Sequence, residues 1–392
     1  MTIKEASLFC KDGDWIESKN QSLSGIRLIQ TGNIGVGVYL DKFSRAKYIS
    51  EETFNKLECT EVFPGDIIVS RLPAPVGRAC IVPDGLGRTI AAVDCTILRI
   101  DEKKFLKEYV LLYTETGQYK SQIEKFLAGS TRVRISRKNL ESISIPQKNL
   151  ETQKNIVSII YKIKNIVELR KQQLSKLDQL VKSRFIEMFG DVYLNTMSWD
   201  EKDLESIADI VSGITKGRKV KNKKLKEVPY MAVSNVKDGY IDWSTVKKID
   251  VTDEEISRYR LLKDDVLITE GGDPDKVGRG AIIKNPLENC IHQNHIFRVR
   301  LNKLIVLPVF FAEYLKHQKS KRYFLSCAKQ TTGIASINMK QLKSLPVLLP
   351  PIKLQRQFSD FIQQVEKAKL SVKQSLDKLE TLKKSLMQEY FG

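Results

Sequence analysis

Only three of the 392 residues are histidine and six are cysteine, and no two cysteines form a C-x-x-C pair. Thiols scattered at Cys10, Cys59, Cys80, Cys95, Cys290 and Cys327 argue against a zinc ribbon, and against a disulfide framework in a chain of this length. They read as reduced, buried thiols of a cytoplasmic protein. Three histidines leave few candidates for general acid–base work. His292 and His295 lie close to Cys290, but zinc needs three or four ligands at matching spacing. Packing and hydrogen bonding is the better reading, and no metal site is assigned. No run of about 18 apolar residues exists, which excludes a transmembrane helix. The opening MTIKEASLFCKDGDW has neither the apolar segment nor the small-residue cleavage site of a secretory leader.

Catalytic motifs are missing too. There is no G-x-x-x-x-G-K-[ST], hence no phosphate-cradling nucleotide loop. Gly271, Gly272 and Gly278 flank Asp273, Pro274 and Asp275, whose acids and proline suit such a loop badly. Asp265 and Glu270 resemble the acids of a metal-dependent nuclease. Residue 272, where its charge-stabilising lysine would stand, is glycine. No Asn/Asp-Pro-Pro-aromatic run of a base methyltransferase occurs. The chain is therefore expected to bind rather than to catalyse.

Acidic charge is also scarce. Lys and Arg number 65 against 47 Asp and Glu, a net charge of +18, with a pI near 9.4. Such an excess favours a polyanionic partner, nucleic acid first. A hydrophobic content of 42% excludes global disorder, and the length predicts two to three domains.

What the chain does contain is itself, twice. Shifted by 202 residues, segment 153–190 falls on 355–392 with 13 of 38 pairs identical, far above chance. Among them are Gln153/Gln355, Gln172/Gln374, Leu174/Leu376, Leu177/Leu379, Leu180/Leu382, Ser183/Ser385, Phe189/Phe391 and Gly190/Gly392. Upstream the match is weaker but ordered. Gly32-Asn33-Ile34 answers Ser234-Asn235-Val236, and Gly77-Arg78 answers Gly278-Arg279. Pro64-Gly65-Asp66-Ile67-Ile68-Val69 answers Lys263-Asp264-Asp265-Val266-Leu267-Ile268. Ile97-Leu98-Arg99-Ile100 is matched to Ile296-Phe297-Arg298-Val299.

The repeated segment is a helix. Ile156, Ile160, Ile163, Val167, Arg170, Leu174, Leu177, Val181, Arg184 and Met188 recur at alternating spacings of four and three. So do Phe358, Ile362, Val365, Lys369, Val372, Leu376, Leu379, Lys383, Leu386 and Tyr390. This is a coiled-coil seam. Pro146, and Pro350 with Pro351, precede the two starts, where proline is tolerated. Two seams in one chain satisfy each other best as an antiparallel pair.

The predicted organisation is a globule (1–148), a helix (149–190), a second globule (191–348) and a second helix (349–392). Short β-rich runs at 67–69, 80–82, 96–100, 266–269, 281–283 and 296–299 are separated by turn residues. Helical stretches at 105–116 and 309–316 follow, then polar loops at 129–131 and 331–333. The class is α+β rather than strict βαβ alternation.

Two basic clusters stand out. Lys216, Arg218, Lys219, Lys221, Lys223, Lys224 and Lys226 put seven cations into eleven residues without one acid. Such a run can neutralise several phosphates. Arg132, Arg134, Arg137 and Lys138 form a smaller group. Arg78 and Arg279, at equivalent positions beside glycines, suit a DNA contact and a structural role equally. Spacing alone does not show which side chains aim at base edges.

Two diverged globules, each followed by a near-repeated heptad helix opening at Pro…Gln and closing on Phe-Gly, resemble the specificity subunit of a type I restriction–modification system. The likeness covers essentially the whole chain. Pro-Gly-Asp-Ile-Ile-Val-Ser (64–70) and Leu-Pro-Pro-Ile-Lys-Leu-Gln (349–355) carry it most strongly. Ile-Pro-Gln-Lys-Asn-Leu-Glu-Thr-Gln (145–153) departs from the latter by having one proline instead of two. The resemblance implies two target recognition domains, each reading one half of a bipartite, asymmetric DNA site, with the helices setting the gap between them. It further implies docking of two methyltransferase subunits and, through them, of restriction–translocase subunits. S-adenosylmethionine, ATP and magnesium would then belong to those partners. A related bifunctional restriction–methylation enzyme shares this body plan, and a stand-alone DNA-acting enzyme is the reading from another class.

Overall fold

The computed structural model describes residues 1–128, 133–218, 224–273, 276–331 and 333–392. These form two compact units, residues 1–171 with 374–392, and residues 172–373. Two 40-residue helices, Leu150–Phe189 and Ile352–Phe391, contribute about half their length to each unit.

In the first unit a four-stranded antiparallel sheet runs in the order Ser7–Asp12, Cys95–Ile100, Ile67–Ser70, Ala79–Ile81. The second unit builds the same sheet from Ala208–Ser212, Ile296–Leu301, Val266–Thr269 and Gly280–Ile282. The central strands Ile67–Ser70 and Val266–Thr269 are buried at all four positions, as continuous apolar runs covered on both faces require. Each unit adds a smaller mixed sheet. In the first, Ile26–Ile29 lies between Lys47–Ile49 and a parallel neighbour, Thr89–Ala91, with Glu61–Val62 at the edge. In the second, Lys226–Met231 lies between Lys247–Val251 and a parallel Ile291–His292.

The strand register corrects one of the expected matches. Ile67 pairs with Leu98, and Val266 with Val299, so Ile97–Ile100 corresponds to 298–301 rather than 296–299. Arg99 therefore answers Arg300, and the chemistry agrees. Arg99 grips the buried Asp66 through two bonds of 2.9 and 2.8 Å. Arg300 grips the buried Asp265 through two of 2.7 and 2.8 Å. Each carboxylate also accepts a backbone N–H, from Phe63 at 2.9 Å and from Leu262 at 2.7 Å. Alternating apolar residues let the strand slide by two in a sequence comparison, whereas a bidentate pair fixes it.

The helices and loops differ in detail from those expected. Each sheet is followed by two helices, Lys107–Thr114 with Gly117–Lys125, and Pro308–Tyr314 with Gln318–Cys327. The second of each pair is mostly polar, which hid it. The loop expected at 331–333 begins inside a strand, Lys329–Thr331, paired with Ile334–Ser336. Residues 129–131 of the other expected loop lie outside the described residues.

The repeated residues explain how helix and globule join. Gln153 is fully buried; its Oε1 accepts from Leu106 N at 2.8 Å, and its Nε2 donates to the carbonyls of Lys104 (3.0 Å) and Lys148 (2.8 Å). Gln355 repeats the arrangement with Leu307 N (2.8 Å), Ile305 O (3.1 Å) and Pro350 O (2.8 Å). The paired phenylalanines clasp the same place from the other helix. Phe391 packs on Tyr109 at 4.9 Å and Phe189 on Phe310 at 4.8 Å, ring centre to ring centre. Each globule thus holds the start of one long helix and the end of the other.

The seam faces inward within each unit. In the first, Ile156, Ile160 and Ile163 are buried and Val167 half-buried, with Leu376 buried and Leu379 and Leu386 half-buried on the other helix. In the second, Val181, Phe358, Val365 and Val372 are buried while Leu174, Leu177 and Ile362 are half-buried. Asp178 pairs with Lys369 at 2.7 Å, and farther along Phe185 meets Phe358 at 5.4 Å. One number rises as the other falls, so these segments run antiparallel. Each fully buried Ile or Leu contributes about 1.5–3 kcal/mol.

Replacing Gln355 by Leu keeps its volume but leaves the Leu307 N–H and two carbonyls without partners. We expect a loss of roughly 2–4 kcal/mol, seen as a lower melting temperature and faster hydrogen exchange at the Leu307 amide. Unchanged exchange there would deny the glutamine its role.

Candidate nucleic-acid interface

The residues that suit polyanion binding divide into those already engaged and those open to solvent. Arg78 is engaged. It follows Gly77, which has a φ of +83° and lies so close to Ile123 that a Cβ there would meet its Cδ1 at 2.7 Å. Only glycine allows both. The guanidinium donates to four carbonyls: Ile34 (2.7 Å), Thr31 (2.9 Å), Pro73 (2.6 Å) and Pro75 (3.1 Å). Burial away from any carboxylate pulls its pKa below the ordinary arginine value. Arg78 therefore ties two loops together and has little left to offer a base edge. Its counterpart Arg279 also follows a positive-φ glycine, Gly278, but its buried Nε has no partner among the described residues.

Arg218 is engaged as well. Its Nε and terminal nitrogen bond Glu255 at 2.7 and 2.5 Å, and it reaches Asp250 O at 3.2 Å. The bond to Glu255 raises its pKa, and Glu255 in turn caps the helix Asp253–Tyr259 by accepting from Thr252 N. Arg218 anchors the basic run to the sheet edge. Lys226 pairs with Asp253 at 2.6 Å. Lys216 and Lys224 are exposed; Lys219, Lys221 and Lys223 lie outside the described residues.

In the first unit Arg134 and Lys138 are exposed, and Arg137 sits 3.3 Å from Glu141 on the short helix Arg137–Glu141. The backbone of Ile135 donates to Arg71 O at 3.3 Å, which seats this basic stretch against the strand Ile67–Ser70. Arg132 lies outside the described residues.

Each of the three histidines has local neighbours, and His317 stacks on Phe185 with ring centres 4.2 Å apart. His292 is buried with its ring nitrogens 3.1 Å from Tyr259 O and 3.3 Å from Val211 O. Burial pushes its pKa down to about 4, so it is neutral at physiological pH. His295 faces Glu270 at 2.6 Å. No group of three metal-ligating side chains is found among the described residues, nor any helix long and apolar enough to cross a membrane.

Sequence reasoning missed Lys316 and Lys321, which line a cleft with Arg279. They are far from Arg279 along the chain, and only the helix pair Pro308–Tyr314 and Gln318–Cys327 brings them to it. No local spacing marks that approach.

Two like units, each an antiparallel sheet clasped by ends of long helices, carry basic stretches at different places, 132–138 in one and 216–226 in the other, and so define a tandem-repeat chain suited to a polyanion. The family model described as "Type I restriction modification DNA specificity domain" matches residues 7–179 and 197–381. The chain belongs to that family. It is 27% identical over 195 residues to the putative type I restriction enzyme MjaX specificity subunit of Methanocaldococcus jannaschii, covering 49% of this chain and 45% of that one. It is 23% identical over 313 residues to the type I restriction enzyme EcoKI specificity subunit of Escherichia coli K12, covering 76% of this chain and 67% of that one. The chain thus spans under half of the first relative's length and about two thirds of the second's. Its fold matches a chain from a structure of a type I restriction–modification system (TM-score 0.63, 16% identity, 99% of this chain and 96% of that one). It also matches the S subunit from M. genitalium (TM-score 0.57, 15% identity, 100% and 95%).

If Arg78 is a loop tie, Arg78→Ala lowers stability by roughly 1–3 kcal/mol and speeds hydrogen exchange around Ile34, with the salt dependence of DNA binding unchanged. A weaker, flatter salt dependence at full stability would make it a DNA contact instead.

Proposed function

We propose that this chain reads a bipartite, asymmetric DNA site, one half per unit, and does no chemistry on it. The observation that carries this reading is the double construction. The Asp–Arg pair, the buried glutamine and the sheet order are the same in both units, while the basic loops and the surfaces around Arg78 and Arg279 differ. One scaffold presenting two unlike surfaces suits two unlike half-sites. Joining two modest affinities raises the effective concentration of the second once the first is bound, and only when the halves lie at the right separation and groove phase. In this reading the long helices set that separation.

Methylation, translocation and cleavage fall to partners: two methyltransferase subunits and, through them, restriction subunits. S-adenosylmethionine, ATP and magnesium would be held there, in the cytoplasm. The helices offer apolar ground for docking. Ile159, Tyr161, Ile166 and Leu169 are exposed on the first unit's share of one helix, and Leu370 on the second unit's share of the other. Ile159, Ile166 and Leu169 lie within about 80° of one another around the helix, with Tyr161 on the far side, and exposed apolar groups clustered on one face mark interaction surfaces.

Inserting one helical turn, about 3.6 residues and so four in practice, into both helices should lengthen the spacer between the two recognised half-sites. Binding to duplexes of graded spacer length reads this out. An unchanged optimum would show that the helices are not the ruler.

A further inference from the structure

The two units carry a cleft at the same place, and its chemistry has diverged. In the first unit a cleft of about 310 Å³ is lined by Val36, Val76, Ile123, Leu127 and Val133, beside the carbonyl-bound Arg78. Among the described residues its only other charges are Lys120 and Glu124. In the second unit a cleft of about 210 Å³ is lined by Lys276, Arg279, Lys316, Lys321 and Asp238. The two are structural counterparts. Gly37 N donates to Ala79 O at 2.9 Å, and Gly239 N to Gly280 O at 3.1 Å, which places Val36 opposite Asp238 in the repeat. Gly77 abuts Ile123 and Gly278 abuts Phe324, which places Lys120 opposite Lys321.

The cations of the second cleft are not equally free. Lys316 pairs with Glu313 at 2.7 Å, and Lys276 pairs with Asp273. Lys321 has no carboxylate partner among the described residues, and the buried Nε of Arg279 has no hydrogen-bond partner among them either. A buried guanidinium N–H left unmet is costly, and with Asp273 and Glu313 counted beside Asp238 the four cations still exceed the acids by one. An anionic oxygen resolves both. The small cleft suits a tetrahedral phosphodiester and is too narrow for a base pair.

Resting on the DNA-recognition reading, we propose that the Arg279–Lys321 cleft is a phosphate clamp that holds one backbone phosphodiester of the DNA bound by the second unit. Its counterpart in the first unit lacks that role: there the arginine is committed to carbonyls and the lining is mostly apolar. The clamp fixes register without reading sequence, and it makes the electrostatic grip on DNA asymmetric between the halves.

The test uses the full chain and a random-sequence duplex, with affinity measured across a salt series. Neutralising Arg279 and Lys321 together (Arg279→Gln with Lys321→Gln) should lower the slope of log affinity against log salt by about one, at unchanged melting temperature. Arg279→Lys, which keeps the charge, should keep the slope, and Lys120→Gln in the counterpart cleft should leave it unmoved. An unchanged slope in the double variant overturns the clamp, as does an equal drop from Lys120→Gln. So does loss of inorganic phosphate binding in the double variant with the DNA slope intact, which would assign the cleft to a free anion. Failure of the unaltered chain to bind DNA at all would instead sink the DNA-recognition reading.

Discussion

One buried amide per unit supports the rest of this architecture. A glutamine side chain stripped of water must meet its donors and its acceptor or forfeit several kcal/mol. Gln153 and Gln355 each meet three backbone groups, two from the loop before a short helix and one from the turn before a long helix. Geometry that strict sets where each long helix leaves its globule. The seam of isoleucines and leucines then has only to fill space, a task that tolerates substitution. That difference is visible in the repeat itself: the glutamine and the closing Phe-Gly are identical in both copies, while Ile156 is answered by Phe358 and Val181 by Lys383.

The same division runs through the globules. The Asp66–Arg99 and Asp265–Arg300 pairs are kept because their carboxylates are buried, and a buried charge without its partner is strongly destabilising. Outside that frame the units drift apart. Ile97 is answered by Arg298, a nearly buried arginine that reaches Asp209. Arg78 closes on four carbonyls while the Nε of Arg279 meets none among the described residues. Keeping the skeleton while releasing the surface is what two readers of different sequences would require.

Much of this is legible in the residues alone. The helices, their antiparallel contacts within the second unit and the central strands follow from periods of 3.5 and from short apolar runs. What escaped has physical causes. The match of Ile97 to Ile296 slipped because alternating strands look alike two residues apart, and only the bidentate Asp–Arg pair breaks the tie. The helices Gly117–Lys125 and Gln318–Cys327 are mostly polar and have few buried residues, so they offer too few apolar positions to mark a helix. The roles of Arg78 and Arg218 depend on which carbonyls and carboxylates the fold brings near them, and no local spacing records that. Lys321 and Arg279 are neighbours only through tertiary structure.

The central claim is that one polypeptide carries two separate sequence readers. The most direct measurement is the map of methylated motifs in DNA from cells holding the methyltransferase subunits proposed as partners, with and without this chain. The account predicts that its presence adds one split motif, two short specified halves flanking a fixed stretch of unspecified bases. A continuous motif, or an unaltered map, would contradict it.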